Sequence, residues 1–370
     1  MLRSVFFLCF ILNSSLSMLG YAQKSKPVYF EKAGDDRVRF YYDAGYYLVD
    51  KNCEFKQIER VASFDPKTSL FTGPFTDFNQ QGKVILEGEY KQGIKHGVFK
   101  AYHANMQLKW QVRYEQGVAV GDWTFYYPDG KPMMVISYDS EFPKISSFWN
   151  TTGSQMIQEG NGKYDFKIPH IGFNPYGFPF VRLRGSITNG YPVGNWRIYF
   201  EDDKKRVLVG EEYYEKTGVF AEGYDLYTES VYTNAKYPIG PIEEFFRAEA
   251  LVSKNCNYDE HIDFTSYLAK SISDIFKGTE VPSFSYFDLK YKVRVQKDGR
   301  VSNFDLLSKT DPHFDKLFFD AIKSLQTYPP SFKNGEYIDD ELTVEVRAQH
   351  AGDGSVVFHS LSIHRKEENS

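Results

Sequence analysis

The chain has 370 residues, a net charge of −5 at pH 7 and an isoelectric point near 6.0. This balance argues against a general nucleic-acid-binding protein, which would need a basic face. Aromatic residues make up 17% of the chain, and their abundance favours β-strands over a helical core. A chain of this length has room for two or three domains.

Residues 1–22 have the pattern of a secretory signal peptide. Arg3 gives a positive start, Val5–Leu12 forms an apolar core, and the small residues Gly20 and Ala22 occupy the positions that signal peptidase inspects. We therefore expect cleavage after Ala22 and a periplasmic or secreted protein. A retained membrane anchor is the alternative, but the apolar run is shorter than the roughly 20 residues that a spanning helix needs.

Two cysteines, Cys53 and Cys256, follow the predicted cleavage site. They are too far apart to suggest a disulfide framework, so a single bridge and two unpaired thiols both remain open. Neither cysteine has the local spacing of a metal site. No later segment is apolar enough to span a bilayer, and we expect no integral membrane segment after cleavage.

Residues 23–72 are predicted to form an N-terminal β cap. Strands are expected at 37–42, 46–51 and 54–64, with turns between them. The first and last units of a repeat array need a different outer face, and this segment precedes an array.

A 24-residue period organises residues 73–139. Three residue types recur on this period, and they are glycine (Gly73, Gly97, Gly121), a first aromatic (Phe75, Phe99, Trp123) and a second aromatic (Tyr90, Tyr114, Tyr138). Residues 108–115 alternate apolar and polar side chains, as in a strand with one buried face. Asp129-Gly130 is a strong hairpin signal. We therefore predict one β-hairpin per unit, added side by side to an elongated sheet.

The repeat also contains a second aromatic position three residues after the first. Phe78, Tyr102 and Tyr126 occupy it. In a regular strand, residues three apart point to opposite faces. Either both faces carry aromatic side chains, or a β-bulge intervenes.

These residues resemble MORN repeats in their bacterial variant. The resemblance rests on Gly-x-Phe/Trp-x-x-Tyr, an Asp-Gly-Lys turn and a Tyr-x-x-Gly-x-x-x-Gly spacing within 73–139, and it is interrupted at Glu141-Phe142-Pro143. It resumes at 185–214, so the array is expected to cover 73–225 with an insertion at 140–184. The resemblance implies a hairpin ribbon used as a scaffold or partner surface, without conserved catalysis. Some proteins of this variant are antitoxin-like, which gives one alternative function.

The aromatic segment 164–184 is rich in proline and glycine. It cannot be helical, and we predict a long loop or irregular edge strand. Tyr176, Phe178 and Phe180 are candidate partner-binding residues there, since long ordered loops on repeat scaffolds often bind ligands. Two alternatives stay open: the aromatic side chains fold back onto the sheet, or the loop holds an enzyme site with His170.

Residues 226–261 are predicted to be a linker with a short helix at 243–252. Residues 262–366 are predicted to form a compact α+β domain: a helix over 264–276, a strand at 287–296, its hairpin partner at 301–308, a helix from Pro312, and strands at 340–349 and 356–364. The fold class is therefore mainly β, with an elongated sheet of repeated hairpins followed by a small α+β domain.

This second domain resembles the C-terminal domain of TonB-type energy transducers. Residues 291–346 carry the resemblance: strand, Asp-Gly turn, strand, helix, an aromatic-Pro step at Tyr328-Pro329-Pro330 and a further strand. The resemblance implies binding of extended peptides by strand addition. We expect the docking edge at Leu342, Val344 and Val346, and a protein or peptide partner in the envelope, such as an outer-membrane receptor.

The sequence gives no motif for catalysis. The eight histidines form no His-Glu-x-x-His pair, and neither a Gly-x-Ser-x-Gly elbow nor a phosphate loop is present. We therefore expect a non-enzymatic interaction protein with no cofactor, no metal and no nucleic-acid partner.

Overall fold

The computed structural model describes residues 26–365 except for 35, 140–141, 171–173, 175–176, 227–228, 242, 257–260, 278–285, 309–311, 326, 334–335 and 351–355. The described chain is mainly strand, as the sequence predicts. Two sheets dominate it: a long antiparallel sheet of hairpins, and a smaller separate sheet near the C-terminus.

The long sheet has 17 strands, and each strand pairs antiparallel with the next one along the chain. It is therefore a single meander, with β1 and β17 as its two edges. Its strands are β1 Phe30–Lys32, β2 Arg37–Tyr42, β3 Ile58–Asp65, β4 Leu70–Asn79, β5 Val84–Lys91, β6 Ile94–Tyr102, β7 Leu108–Glu115, β8 Val118–Tyr126, β9 Pro132–Ser137, β10 Lys144–Trp149, β11 Gln155–Gln158, β12 Asn161–Pro169, β13 Phe180–Thr188, β14 Tyr191–Glu201, β15 Arg206–Tyr214, β16 Phe220–Asp225 and β17 Ser230–Tyr232.

The 24-residue period has a direct backbone cause. Gly73, Gly97 and Gly121 have φ values of 87°, 72° and 66°, a region that L side chains rarely adopt. The pairing register also shifts at one recurrent place, between Ala101 and Tyr102 in the middle unit, and at the equivalent step in the units on either side. Both expectations for the aromatic position of Phe78, Tyr102 and Tyr126 hold. A bulge precedes it, and both faces carry aromatic side chains, because Phe99 is buried and Tyr102 lies on the other face beside Glu87.

The predicted interruption near residue 141 does not break the sheet. Strand β9 pairs directly with β10, with Ile136 opposite Ile145. The segment 164–184 was expected to be a long loop or an irregular edge strand, but residues 164–169 and 180–184 belong to β12 and β13, which are paired within the sheet. Their aromatic side chains fold back onto the sheet, as Tyr164 shows at 1% exposure.

In the N-terminal cap, β2 has the predicted bounds, whereas a strand at 46–51 was wrong. Only Leu48 makes isolated bridges there, one to Tyr42 and one to Ser253. Strand β3 starts at Ile58, because turns occupy residues 51–55. The segment 43–49 instead folds over the end of the aromatic face and contributes Tyr46 to the core.

The C-terminal unit has the α+β composition expected. Its elements are α1 His261–Phe276, β18 Tyr286–Val295, β19 Val301–Leu306, α2 Pro312–Ser324, β20 Ser331–Lys333, β21 Glu336–Ile338, β22 Asp340–His350 and β23 Val356–Arg365. The order in its main sheet is β19-β18-β22-β23, and β20 and β21 form a separate hairpin. A second core lies between this sheet and the helices, with Phe264, Leu268, Tyr291 and Val344 at 0% exposure.

Candidate interaction surfaces

The aromatic face of the long sheet is covered by the chain itself. Residues 236–256, here called the return segment, follow β17 and run back along the repeats towards β2. The segment starts at Lys236, whose backbone N–H donates to the buried carboxylate of Glu212 at 3.0 Å. It ends at Cys256, which forms a disulfide with Cys53 in the loop before β3.

Apolar and ionic contacts hold the middle of the return segment. A short 3₁₀ helix, Phe245–Ala250, places the ring of Phe245 5.8 Å from Phe99 and 5.5 Å from Trp110. Lys109 pairs with Glu243 at 2.7 Å. The predicted linker with a short helix is thus an ordered cover, and the aromatic side chains beneath it are core rather than an open ligand groove.

A second ionic contact holds the return segment at Glu249, after the contact of Glu243. Glu249 accepts from Lys95 Nζ at 3.0 Å and from the hydroxyl of Tyr90 at 3.1 Å. Burial, together with Glu249, raises the pKa of Tyr90 well above its usual value. The tyrosine is therefore a neutral donor to this carboxylate at neutral pH.

A fully buried ion pair lies under the same end of the sheet. Arg60 Nε and Nη2 donate to Asp77 at 2.7 and 2.9 Å, and both side chains have 0% exposure. Tyr46 donates its hydroxyl to the same carboxylate at 3.0 Å. The guanidinium lies 4.2 Å from the ring centroid of Phe75. The bidentate contact joins β3 to β4, and the hydrogen bond from Tyr46 adds the segment 43–49. The position of this arrangement in the core makes it structural.

The residues predicted as a docking edge do not lie at an edge. Leu342, Val344 and Val346 belong to β22, which pairs with β18 on one side and β23 on the other. Their side chains are buried, at 0%, 0% and 1% exposure. An apolar residue at every second position identifies the buried face of a strand. Interior and edge strands can both have this pattern, so the pattern alone did not show that β22 is an interior strand.

The edges of the C-terminal sheet are β19 and β23. The residues just before β19 are already paired, because Thr327 bridges Arg300 and the N–H of Tyr328 donates to Gly299 at 2.8 Å. Strand β23 is longer, at 10 residues, and among the described strands it pairs with β22 alone. It is therefore the longer unpaired edge in this part of the chain.

The C-terminal end of β23 contacts the loop before β3. Arg365 Nη1 donates to Glu54 at 3.1 Å, and its guanidinium lies 5.3 Å from the ring centroid of Phe55. The same side chain donates to Ser331 Oγ at 3.2 Å. Because Glu54 follows Cys53 directly, the disulfide and this contact hold neighbouring points of the chain.

The other predicted binding residues are separated. Phe178 is buried at 9% exposure, and Phe180 is the half-buried first residue of β13, with Lys167 Nζ 4.2 Å from its ring centroid. Tyr176 lies outside the described residues. His170 packs against Phe200, with ring centroids 4.8 Å apart. The described residues of the expected loop named here thus form packing contacts.

The described part of the chain has an open concavity but shows no cluster of metal-ligating side chains. An open concavity of about 360 Å³ lies on the face of β2–β4 away from the return segment, and Arg37, Arg39, Glu59 and Phe78 are among its lining residues. No group of three or more His, Cys, Asp or Glu side chains in the described ranges could hold a metal ion. No described helix is both long and apolar enough to cross a bilayer.

Two features were not predicted from the sequence: the position of β23 at the edge of its sheet, and the course of the return segment. The apolar residues of β23, at 356–364, were predicted as a strand, but its place at the edge depends on topology. The return segment carries Phe245 and two glutamates at 243 and 249, whose lysine partners lie in the repeats. Comparison with known proteins gives no further assignment: no protein-family model matches the sequence, and no curated protein matches it significantly.

Proposed function

We propose that the chain is an exported, non-enzymatic interaction protein of a cell envelope whose C-terminal sheet binds an extended peptide by strand addition at β23. The observation that carries the proposal is that this 10-residue strand pairs on one side alone among the described strands. A free strand edge presents backbone donors and acceptors to another chain. The resemblance of residues 291–346 to TonB-type C-terminal domains supports the same mode of binding.

The side chains of β23 favour a peptide with alternating apolar residues. On the face towards the helices, Phe358, Leu361 and Ile363 are only half-buried. Their neighbours on β22, such as Val344 and Val346, are buried at 0% and 1% exposure. An added strand would cover the half-buried row and extend the apolar layer beneath α1. Apolar side chains at every second peptide position would meet this row.

The long sheet acts in this proposal as a scaffold that presents the C-terminal unit. Its aromatic face is filled by the return segment, so its role is to carry other surfaces. Export is supported by the signal-like residues 1–22 and by the disulfide between Cys53 and Cys256, since structural disulfides persist mainly in oxidising compartments.

The test measures binding of the full chain to synthetic extended peptides in which apolar and polar residues alternate. Fluorescence anisotropy with these peptides should show saturable binding. Copies with alternate backbone nitrogens methylated should not bind, because they lack the donors for a new ladder.

Two matched variants locate the binding edge. Leu361→Lys places an inward-pointing charge on β23, a device that blocks pairing at an edge. Leu306→Lys makes the same change at a half-buried position of β19. The proposal expects loss of binding only in the first. Equal loss in both, or binding that tolerates backbone methylation, would contradict it.

A further inference from the structure

A second surface follows the 24-residue period at the turn ends of the hairpins. Leu70, Ile94, Val118 and Phe142 are spaced 24 residues apart, and each is a large apolar residue with substantial exposure: 40%, 49%, 65% and 62%. They follow the turns before β4, β6, β8 and β10. Alternate turns of a meander lie at the same end of the sheet, so these four residues form one row, here called the apolar stripe.

The stripe is continuous over its first turns. A Cβ built on Gly93 would lie 2.7 Å from Leu70 Cδ2, and one on Gly117 would lie 3.1 Å from Ile94 Cγ2. Each apolar side chain therefore covers the turn glycine of the next hairpin. The turns are also joined by backbone hydrogen bonds, such as Gly93 N–H to Phe71 O at 2.8 Å.

The stripe points away from the return segment. The next residues along the strands, Phe71, Lys95 and Ala119, belong to the aromatic face or contact the return segment. Successive side chains of a strand point to opposite faces, so Leu70 and its equivalents face the other side. Nothing in the described chain covers this row to the extent that the return segment covers the aromatic face.

Charge changes sign along the stripe. Three residues before each apolar residue stand Lys67, Lys91, Glu115 and Asp139, in that order, and all four are exposed. At this position the first two turns carry a lysine, and the last two carry an acidic residue. Such an order is self-complementary when two copies of the row are laid antiparallel.

We propose that the apolar stripe binds the same stripe of a second copy of this chain, around a two-fold axis between Ile94 and Val118. In this arrangement Lys91 of each copy faces Glu115 of the other. Lys67 likewise faces Asp139. The two-fold axis makes the contact isologous, with the same patch on both copies. The surface is distinct from the β23 edge and does not depend on peptide binding there.

The size of the stripe predicts a weak association. Four turns separated by two strands each span about 29 Å, and a single row of side chains buries less than the roughly 800 Å² per partner of a stable complex. Contacts that the charged side chains of the stripe already make within the chain compete little with the contacts between copies. Glu115 accepts from Arg113 at 3.0 Å, but these side chains are 54% and 60% exposed, and an exposed ion pair contributes little to stability.

The test is sedimentation equilibrium of the full chain over a range of concentrations and salt. We expect a reversible monomer–dimer equilibrium that weakens as salt rises. Lys91→Glu and Glu115→Lys should each weaken the dimer about tenfold, because each creates two like-charge contacts across the axis. An equimolar mixture of the two variants should form a heterodimer close to wild-type strength, because both contacts are then between opposite charges, one as in the wild type and one with its signs exchanged. Lys83→Glu, at the opposite end of the same hairpin, is the matched control and should have no effect.

Several results would overturn the proposal. These are a monomer at every soluble concentration, a dimer that Val118→Asp leaves unchanged, and a mixture that does not recover association. A monomeric protein whose stripe variants instead lose binding to lipid vesicles would assign the stripe to a membrane surface, which also contradicts a second copy as its occupant.

Discussion

Cys53 and Cys256 lie 203 positions apart in the sequence and 5.5 Å apart between their Cα atoms, joined by a disulfide. The bond fixes the end of the return segment beside the loop that leads into β3. It therefore closes a loop that contains nearly the whole meander. The aromatic core of a one-layer sheet is thus covered by a later part of the same chain.

The disulfide is expected to stabilise the fold substantially. Cys256→Ser should lower the free energy of unfolding by about 2–5 kcal/mol, because a long loop is no longer constrained in the unfolded chain. Urea denaturation of the oxidised protein and the variant measures the difference. Reductant should reproduce the loss in the wild type and have no effect on the variant. Identical denaturation midpoints for wild type and variant, each with and without reductant, would show that the fold does not depend on the disulfide.

Two adjacent phenylalanines test how much the return segment contributes by packing. Phe245 is 2% exposed, whereas Phe246 is 53% exposed. Phe245→Ala should cost about 3–5 kcal/mol because it leaves a cavity against Phe99 and Trp110. Phe246→Ala should change the stability by no more than about 0.5 kcal/mol. Equal effects in thermal unfolding would mean that the segment does not form part of the core.

The buried ion pair predicts a strongly non-additive result. Asp77→Leu should cost about 3–5 kcal/mol, because it leaves the guanidinium of Arg60 buried without its partner. The double variant Arg60→Leu/Asp77→Leu should be much less destabilised than the sum of the single variants. Tyr46→Phe removes one donor to the same carboxylate and should cost about 1 kcal/mol. Additive losses in this double-mutant cycle would argue that the pair is not coupled.

The outer face of the C-terminal sheet predicts an acid-dependent loss of stability. A hydrogen bond from Lys292 is the main cause that lowers the pKa of Glu341 below its usual 4.5. A carboxylate with a depressed folded pKa stabilises the protein above the unfolded pKa. This stability is lost as pH falls from about 4.5 through the lower folded value.

Glu341→Gln should therefore lower the melting temperature at neutral pH, and the difference from wild type should vanish in acid. Lys292→Met removes the hydrogen-bond partner of Glu341. It should also lower the melting temperature at neutral pH, with a difference from wild type that vanishes in acid. A difference that stays constant from neutral to acid pH would contradict the assigned cause.

Local patterns predicted most elements of this fold, because their causes are local. The 24-residue period identified the hairpins through recurring glycines such as Gly97, whose φ of 72° lies in a region that favours glycine. Alternation identified β18 and β22, and Pro312 marked the start of α2. The insertion at 140–184 was predicted from the loss of the repeat pattern at Glu141-Phe142-Pro143, whereas the antiparallel meander continues through β10 to β13.

Long-range relations could not be predicted in this way. Whether Cys53 meets Cys256, which strand of the C-terminal sheet lies at its edge, and where residues 236–256 run all depend on contacts between distant segments. Glu249 and Lys95 are 154 positions apart, and neither residue alone indicates the other. The predicted docking residues Leu342, Val344 and Val346 show the consequence, because their pattern identified a buried face and left the strand order undetermined.

The central claim, that β23 accepts an extended peptide, is tested most directly by hydrogen–deuterium exchange of the full chain with and without a bound alternating peptide. The account predicts slower exchange at residues 356–364, with no comparable change in β19 or in the interior strand β22. Protection confined to β19 or to residues 164–184, or peptide binding without any protection in β23, would contradict it.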